Sequence, residues 1–199
     1  MDEPALIRSA QGGDLDAFNT LVLAYQSQVY NVAYRIMDDR AAAADATQEA
    51  FISAYQGIRR FRGGSFKSWL LRTVTNACYD ALRYAKRRPA TSLDALGDDP
   101  GEGESAGYSE FIAADQESPA EAAERSELRH TIAAGVRQLP PDQRITFVLS
   151  DVQGMSYEEI ADATQASLGT VKSRLSRARA KLRDYLIGQA ELLRDMERP

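Results

Sequence analysis

The chain has 199 residues and a mass of 21.9 kDa, room for one or two small domains. Hydrophobic residues make up 44%, enough for a core, and charged residues 27%, with a formal net charge of −5. A single cysteine, Cys78, and a single histidine, His130, exclude an internal disulfide and a four-ligand structural zinc site.

The acidic start Met1-Asp2-Glu3-Pro4 lacks the basic and apolar stretches of an export signal, so none is expected. The uncharged run 17–34 carries Asn19, Thr20, Gln26, Ser27, Gln28 and Asn31, too polar to span a bilayer. Within it, Phe18, Leu21, Val22, Tyr25, Val29, Ala33 and Ile36 recur at spacings of three and four, which predicts one face of a long helix. Thr47, Phe51, Ala54, Tyr55 and Ile58 mark a second helix. Phe66, Trp69, Leu70, Thr73, Val74, Ala77 and Ala81 mark a third. Between those two, Phe61-Arg62-Gly63-Gly64-Ser65 breaks the period, and Ser65 is placed to cap the third helix. These aromatic stripes read as core, Trp69 included.

Residues 89–120 hold eight acids, Asp94, Asp98, Asp99, Glu102, Glu104, Glu110, Asp115 and Glu117, and no Lys or Arg. The stretch is also rich in Gly, Ser, Pro and Ala. It buries too little to offset its ordering entropy, which predicts a flexible acidic linker with one apolar cluster, Tyr108, Phe111 and Ile112. The expected layout is a helical domain at 1–88, the linker at 89–120, and a second helical domain at 121–199 ending in a short tail. No strand-like alternation is convincing, so the fold class is all-α.

In the second domain, Leu128, Ile132, Val136 and Leu139 share a face until Pro140-Pro141 ends that helix. His130 falls in this charged helix, where an exposed position is expected rather than a triad base. Ile145, Val148, Leu149 and Val152 follow, up to Gly154. Ser156 with Glu159 three residues on forms a capping box for a short helix reaching about Ala163. After a turn at 164–166, Ser167 caps a longer helix with Leu168, Val171, Leu175, Ala178, Leu182 and Leu186 inward. A short helix, a tight turn and a longer helix with a basic outer face make a helix-turn-helix. Its outward residues are Lys172, Ser173, Arg174, Ser176, Arg177 and Lys181. Arginine matches guanine edges in a bidentate way, while Lys and Ser suit phosphates or single base contacts.

Charge placement agrees. Residues 59–88 hold nine basic side chains against one acid, Asp80, and residues 167–183 hold six and no acid. Such blocks neutralise phosphates, or else form a solvated basic face.

Two motif sets now support a resemblance. The run 156–161, Ser-Tyr-Glu-Glu-Ile-Ala, followed by 169–179, Gly-Thr-Val-Lys-Ser-Arg-Leu-Ser-Arg-Ala-Arg, resembles the last domain of bacterial sigma factors. The run 45–51, Asp-Ala-Thr-Gln-Glu-Ala-Phe, then Phe61-Arg62-Gly63, then 66–70, Phe-Lys-Ser-Trp-Leu, resembles their promoter-melting domain. The short length with these two domains is similar to the extracytoplasmic-function (ECF) subgroup, over roughly 14–88 and 121–187.

The resemblance implies a protein without catalysis or cofactor that binds core RNA polymerase, directs it to promoter DNA and helps melt it. Asp45, Gln48 and Glu49 would meet the clamp helices of the polymerase's largest subunit; the alternative is a solvated helix face. The −10 element would meet residues 59–88. There Asn76 matches the family's base-reading asparagine, and an amide can both donate and accept at a base edge. Phe61 and Phe66 would border the base pocket or belong to the core. Arg83, Lys86, Arg87 and Arg88 suit phosphates. The recognition helix would read the −35 element. The acidic linker would thread the polymerase cleft, or serve only as a tether. The family also suggests an anti-sigma factor as partner, no small-molecule substrate, no membrane insertion of its own, and a cytoplasmic location, nucleoid-associated when active or else held at the membrane by the anti-sigma factor.

Gln165 departs from the pattern, since family members often carry Gly in this turn, and Ala163 and Thr164 replace larger apolar residues. Two other classes compete. A helix-turn-helix regulator acting on duplex DNA without polymerase would leave the first domain's motifs without a role. A metal-dependent nucleic-acid enzyme would need acids clustered in a basic groove, where Asp80 stands alone.

Overall fold

A computed structural model describes residues 2–87 and 119–196. Nearly all of the expected linker lies outside the described residues, and so does Arg88. Among the described residues the chain is helical and has no strand. The all-α expectation therefore holds, with two helical units.

The first unit is built from α1 (Glu3–Gln11), α2 (Leu15–Met37), α3 (Arg40–Gly57) and α4 (Phe66–Arg87). Helix α1 is an addition to the three helices that the apolar spacing predicts. Its signals are local: Asp2 accepts from the Ala5 N–H at 3.1 Å, and Pro4 sits in the first turn. Asp14 caps α2 by accepting from Asp16 and Ala17. Two neighbouring aspartates then make the α2–α3 corner. Asp38 ends α2 in the left-handed region at φ 58°, and Asp39 caps α3 from the Ala42 N–H at 2.6 Å.

The stripe expected on α3 is corrected by the structure. Its buried residues are Ala43, Ala46, Ala50 and Ala54, whereas Thr47 and Phe51 are half-buried and Tyr55 is 42% exposed. Alanines let α3 approach its neighbours closely, so the larger side chains lie at the rim. On α4 the buried arc is wider than expected. It sweeps from Phe66 through Leu70, Val74 and Cys78 to Leu71 and Thr75, about half the helix circumference. Ser65 caps α4 as expected, accepting from Ser68 N–H at 3.1 Å. Trp69 is only partly buried, tilted against Phe61 and Phe66.

The second unit holds α5 (Pro119–Arg137), α6 (Pro141–Phe147) continued by a π-helical turn at Val148–Val152, α7 (Tyr157–Thr164) and α8 (Leu168–Met196). Both arms of the capping box form: Ser156 accepts from Glu159 N–H at 3.2 Å, and Glu159 accepts from Ser156 N–H at 2.9 Å. Ser167 caps α8 from the Thr170 N–H at 3.1 Å. Val171, Leu175, Ala178 and Leu182 face inward, but Leu168 and Leu128 are exposed, contrary to expectation. Leu168 lies in the first turn of α8, outside the crossing with α6. Gly135 on α5 is where α5 and α8 touch. A Cβ there would come within 2.6 Å of Leu182 and 2.7 Å of Tyr185.

The two units touch along α4 and α7, and polar ties surround the contact. Gln28 donates to Gln153 at 2.7 Å, Arg144 donates to the Ile36 carbonyl at 3.0 Å, and Arg137 lies 3.8 Å from Asp38. This contact explains the wide buried arc of α4: one flank packs in its own bundle and the other against α7.

Candidate nucleic-acid interface

The open face of α4 carries Arg72, Asn76 and Arg83, at steps of four and seven that place them on one line. All three are exposed, so Asn76 stands in solvent between two guanidinium-bearing positions. Arg83 also pairs with Asp80 at 3.6 Å and lies 5.8 Å from the Tyr79 ring. Lys86 is exposed one turn further on. Arg87 ends α4, and Arg88 lies outside the described residues.

The loop before α4 turns on two glycines, Gly63 at φ 96° and Gly64 at φ 89°, conformations that L side chains rarely adopt. Phe61 stands at its entry, half-buried, with Phe66 at 5.7 Å edge-on and Trp69 at 5.4 Å. For Phe66 the burial favours the core alternative over the base pocket. At 1% exposure, enclosed by Phe61, Trp69 and Tyr25, it is core and offers no face to a base. Arg59, Arg60 and Arg62 are exposed around the loop.

On the opposite charge, Asp45, Gln48 and Glu49 are exposed together on α3. Ile52, 45% exposed, and Tyr55 continue that face, with Tyr55 edge-on to Phe18 at 5.0 Å. Ile52 lies off the apolar stripe of α3, on the face of Gln48 and Glu49, so the period gives no signal for it.

On α8, Lys172, Ser176, Arg177 and Lys181 are exposed, and Ser173 is half-buried. Arg174 differs from the outward expectation. Its side chain is 22% exposed and its guanidinium lies 2.6 Å from the Asp142 carboxylate on α6. That carboxylate sits beside Tyr79 of α4, whose phenol is pushed up to about 12 by burial and by Asp142. One carboxylate thus pairs with the recognition helix and lies beside the helix that carries Asn76. Arg179 is likewise held, with Nε and Nη2 donating to Asp151 at 3.1 and 3.2 Å. Glu159 is held below the usual carboxylate range by the Ser68 hydroxyl of α4 and then by the Ser156 N–H. The turn into α8 passes through Gln165 at φ 52°, where its amide donates to Asp162 O at 2.7 Å.

Among the described residues there is no cluster of His, Cys, Asp or Glu suited to a metal, and no helix long and apolar enough to cross a membrane. His130 is exposed. Burial pushes the Cys78 thiol up to about 12.

Two helical units, one bearing a basic face with an amide at its centre and the other a helix-turn-helix, define a two-module DNA-binding protein. Comparison with known proteins narrows the class. Residues 21–88 match sigma-70 region 2 and residues 129–182 match sigma-70 region 4. The chain is 40% identical over 180 residues to the RNA polymerase sigma-H factor of Pseudomonas aeruginosa, covering 87% of this chain and 88% of that protein. It is 36% identical over 181 residues to the ECF RNA polymerase sigma-E factor of Escherichia coli, covering 90% and 91%. The structure of CnrH with the cytosolic domain of CnrY shares the fold, with a TM-score of 0.62 at 24% identity over 94% of this chain and 99% of that one. The chain belongs to the sigma-70 family of RNA polymerase sigma factors, in its ECF group. Its function is the family's: with core RNA polymerase it directs transcription initiation at promoters, as an initiation factor and not an enzyme.

Proposed function

We propose that this sigma factor divides its work among three faces, with residues 1–88 and 121–199 as the two working domains and 89–120 as their linker. The α3 face of Asp45, Gln48 and Glu49 docks on core polymerase. Asn76 reads an unpaired −10 base, with Phe61 at the edge of that pocket and Arg83, Lys86, Arg87 and Arg88 following phosphates. On α8, Lys172, Ser173, Arg174, Ser176, Arg177 and Lys181 meet the −35 element. Arg174 reaches DNA only after side-chain movement, since it is paired with Asp142.

The observation that supports this reading is the separation of charge on one bundle. Asp45 and Glu49 stand exposed on α3, while Asn76 stands exposed on α4 between Arg72 and Arg83. A basic face with a central amide suits an opening duplex, where cations follow the backbone and the amide holds the extruded base. The protein works in the cytoplasm under this reading. The sigma factor RpoE of Bartonella quintana has been seen with the anti-sigma factor NepR, and a comparable partner is proposed for this chain.

In vitro transcription with bacterial core polymerase over a promoter library tests the whole reading. Selective initiation with base preferences in two spaced elements is expected. Initiation without preference, or tight promoter-specific binding by the free protein at physiological salt, overturns it.

A further inference from the structure

Helix α1 lies outside the segment matched to region 2 and outside the interface described above. Its last residue is nonetheless tied to the −10 loop. The Gln11 side-chain amide donates both of its N–H groups, to the Ile58 carbonyl at 3.1 Å and to the Phe61 carbonyl at 2.7 Å. These carbonyls bracket the 3-10 turn Ile58–Arg60 and the entry to the glycine loop. The next turn of chain stands at the same place: Gly13 at φ 100° comes within 3.7 Å of the Arg59 guanidinium when given a Cβ. The other end of α1 is fixed as well. Glu3 accepts a hydrogen bond from the Tyr25 hydroxyl, and the Tyr25 ring packs edge-on to Phe66 at 5.6 Å. Both ends of α1 therefore lead to the Phe61, Phe66 and Trp69 cluster.

Beyond Phe61, little else fixes the loop. Gly63 and Gly64 have open space around their α-carbons, with nothing within 4 Å of an added Cβ. Ser65 anchors the far end by capping α4. A loop with two open left-handed glycines holds one shape only if its ends are held. At the near end the Ile58 carbonyl also takes the Phe61 N–H at 3.0 Å, and Gln11 is the side chain that ties this turn to the Phe61 carbonyl, one N–H for each oxygen.

We propose that Gln11 is a positioning residue for −10 base selection: by bridging the Ile58 and Phe61 carbonyls from α1, it fixes the loop that sets Phe61 beside the base held by Asn76. This rests on the assignment of Asn76 to a −10 base. Gln11 touches no DNA in this scheme. It acts through the backbone on either side of Arg59 and Arg60, and its loss widens the range of loop shapes that accept a base.

The test uses the full chain with core polymerase. Gln11→Met keeps the side-chain length and removes both donors. Gln11→Glu places an acceptor against two carbonyl oxygens. Initiation is measured on templates varied at each −10 position, both as duplex and already unpaired. Core affinity is measured by competition, and amide hydrogen exchange is followed across 58–66. Both substitutions are expected to lower the preference at one −10 position at least fivefold on both template types. Core affinity should stay within twofold, and exchange should quicken at 58–66 but not in α2 or α3. An unchanged base preference overturns the proposal. So does a loss of preference accompanied by a comparable loss of core affinity, or collapse of the bundle in both variants, since either assigns Gln11 to general stability. Asn76→Ala is run beside them. If it abolishes the preference while the Gln11 variants keep it, the positioning role fails and the Asn76 reading stands. If Asn76→Ala also keeps the preference, the Asn76 reading fails and the positioning role falls with it.

Discussion

Asn76 and Phe66 are ten residues apart on one helix, and their surroundings separate their roles. Asn76 projects into solvent between Arg72 and Arg83, and Phe66 is sealed in the core. Asn76→Ala should therefore change stability by no more than about 0.5 kcal/mol, the usual range for an exposed position. Open-complex yield should fall and one −10 base preference should be lost. On a template already unpaired at −10 the yield should recover while the preference stays lost. Permanganate reactivity and transcription on both templates check this, and normal preference on both would return Asn76 to a solvated helix position. At Gln165 the backbone, not the side chain, decides. A left-handed φ of 52° costs an L residue roughly 1 kcal/mol, offset in part by the hydrogen bond to Asp162 O. Gln165→Gly should raise the thermal midpoint of the second unit, with a gain of about 0.5–1 kcal/mol. A lower midpoint would show that the side-chain bond outweighs the strain.

At the scale of helices, α5 approaches α8 closely at Gly135. Gly135→Ala must displace Leu182 and the Tyr185 ring, so it should destabilise that unit by about 1–3 kcal/mol despite a better helix propensity. A stability gain in chemical denaturation would show that the two side chains move aside freely. The start of α7 has a pH signature. Glu159 has a depressed folded-state pKa, so its contribution is complete above the ordinary carboxylate value of 4.5 and is lost as pH falls through the lower folded value. Wild type should lose stability over that acidic window more steeply than Glu159→Gln, and Ser68→Ala should move the Glu159 titration upward. Equal acid profiles for wild type and Glu159→Gln would remove the linkage.

These elements also show what the sequence could disclose. The capping box at Ser156 and Glu159 was legible because two side chains at a fixed spacing make the whole signal. The α8 stripe was legible because one helix buries one face. On α3 the periodic large residues misled, because alanines carry the close packing and carry almost no hydrophobic signal. On α4 part of the wide buried arc goes with the contact to α7, a helix more than eighty residues beyond Thr75, which no local period can report. Arg174 was placed outward by its position on the helix, and only the tertiary neighbour Asp142 turns it inward.

For the whole molecule, the arrangement of the two units sets the last expectation. The helix-turn-helix rests on α4 through the α7 contact, and Asp142 holds Arg174 beside Tyr79. Reading two spaced DNA elements at once requires that α4 and α8 face different stretches of duplex, which this close contact opposes. Among the described residues the polar ties around it include one part-buried amide pair, one part-buried guanidinium on a carbonyl, and the wider, exposed Arg137 pair with Asp38. The exposed ion pair is worth little and each hydrogen bond about 1 kcal/mol net, so a larger binding partner that replaces them can separate the units. The roughly 30 residues between Arg87 and Pro119 could span about 100 Å when extended, so chain length does not prevent it. The single native thiol makes the test clean. Cys78 is fully buried and its pKa is pushed up to about 12, so it should stay unlabelled beside exposed engineered thiols. Spin labels at Gln56→Cys and Asp184→Cys, exposed sites on separate units, should give one narrow distance distribution in the free protein. Addition of core polymerase and promoter DNA should move it to longer distances, and Arg144→Ala should broaden it before either is added. The same distance in the free and promoter-bound states would mean that the closed arrangement itself is what polymerase uses.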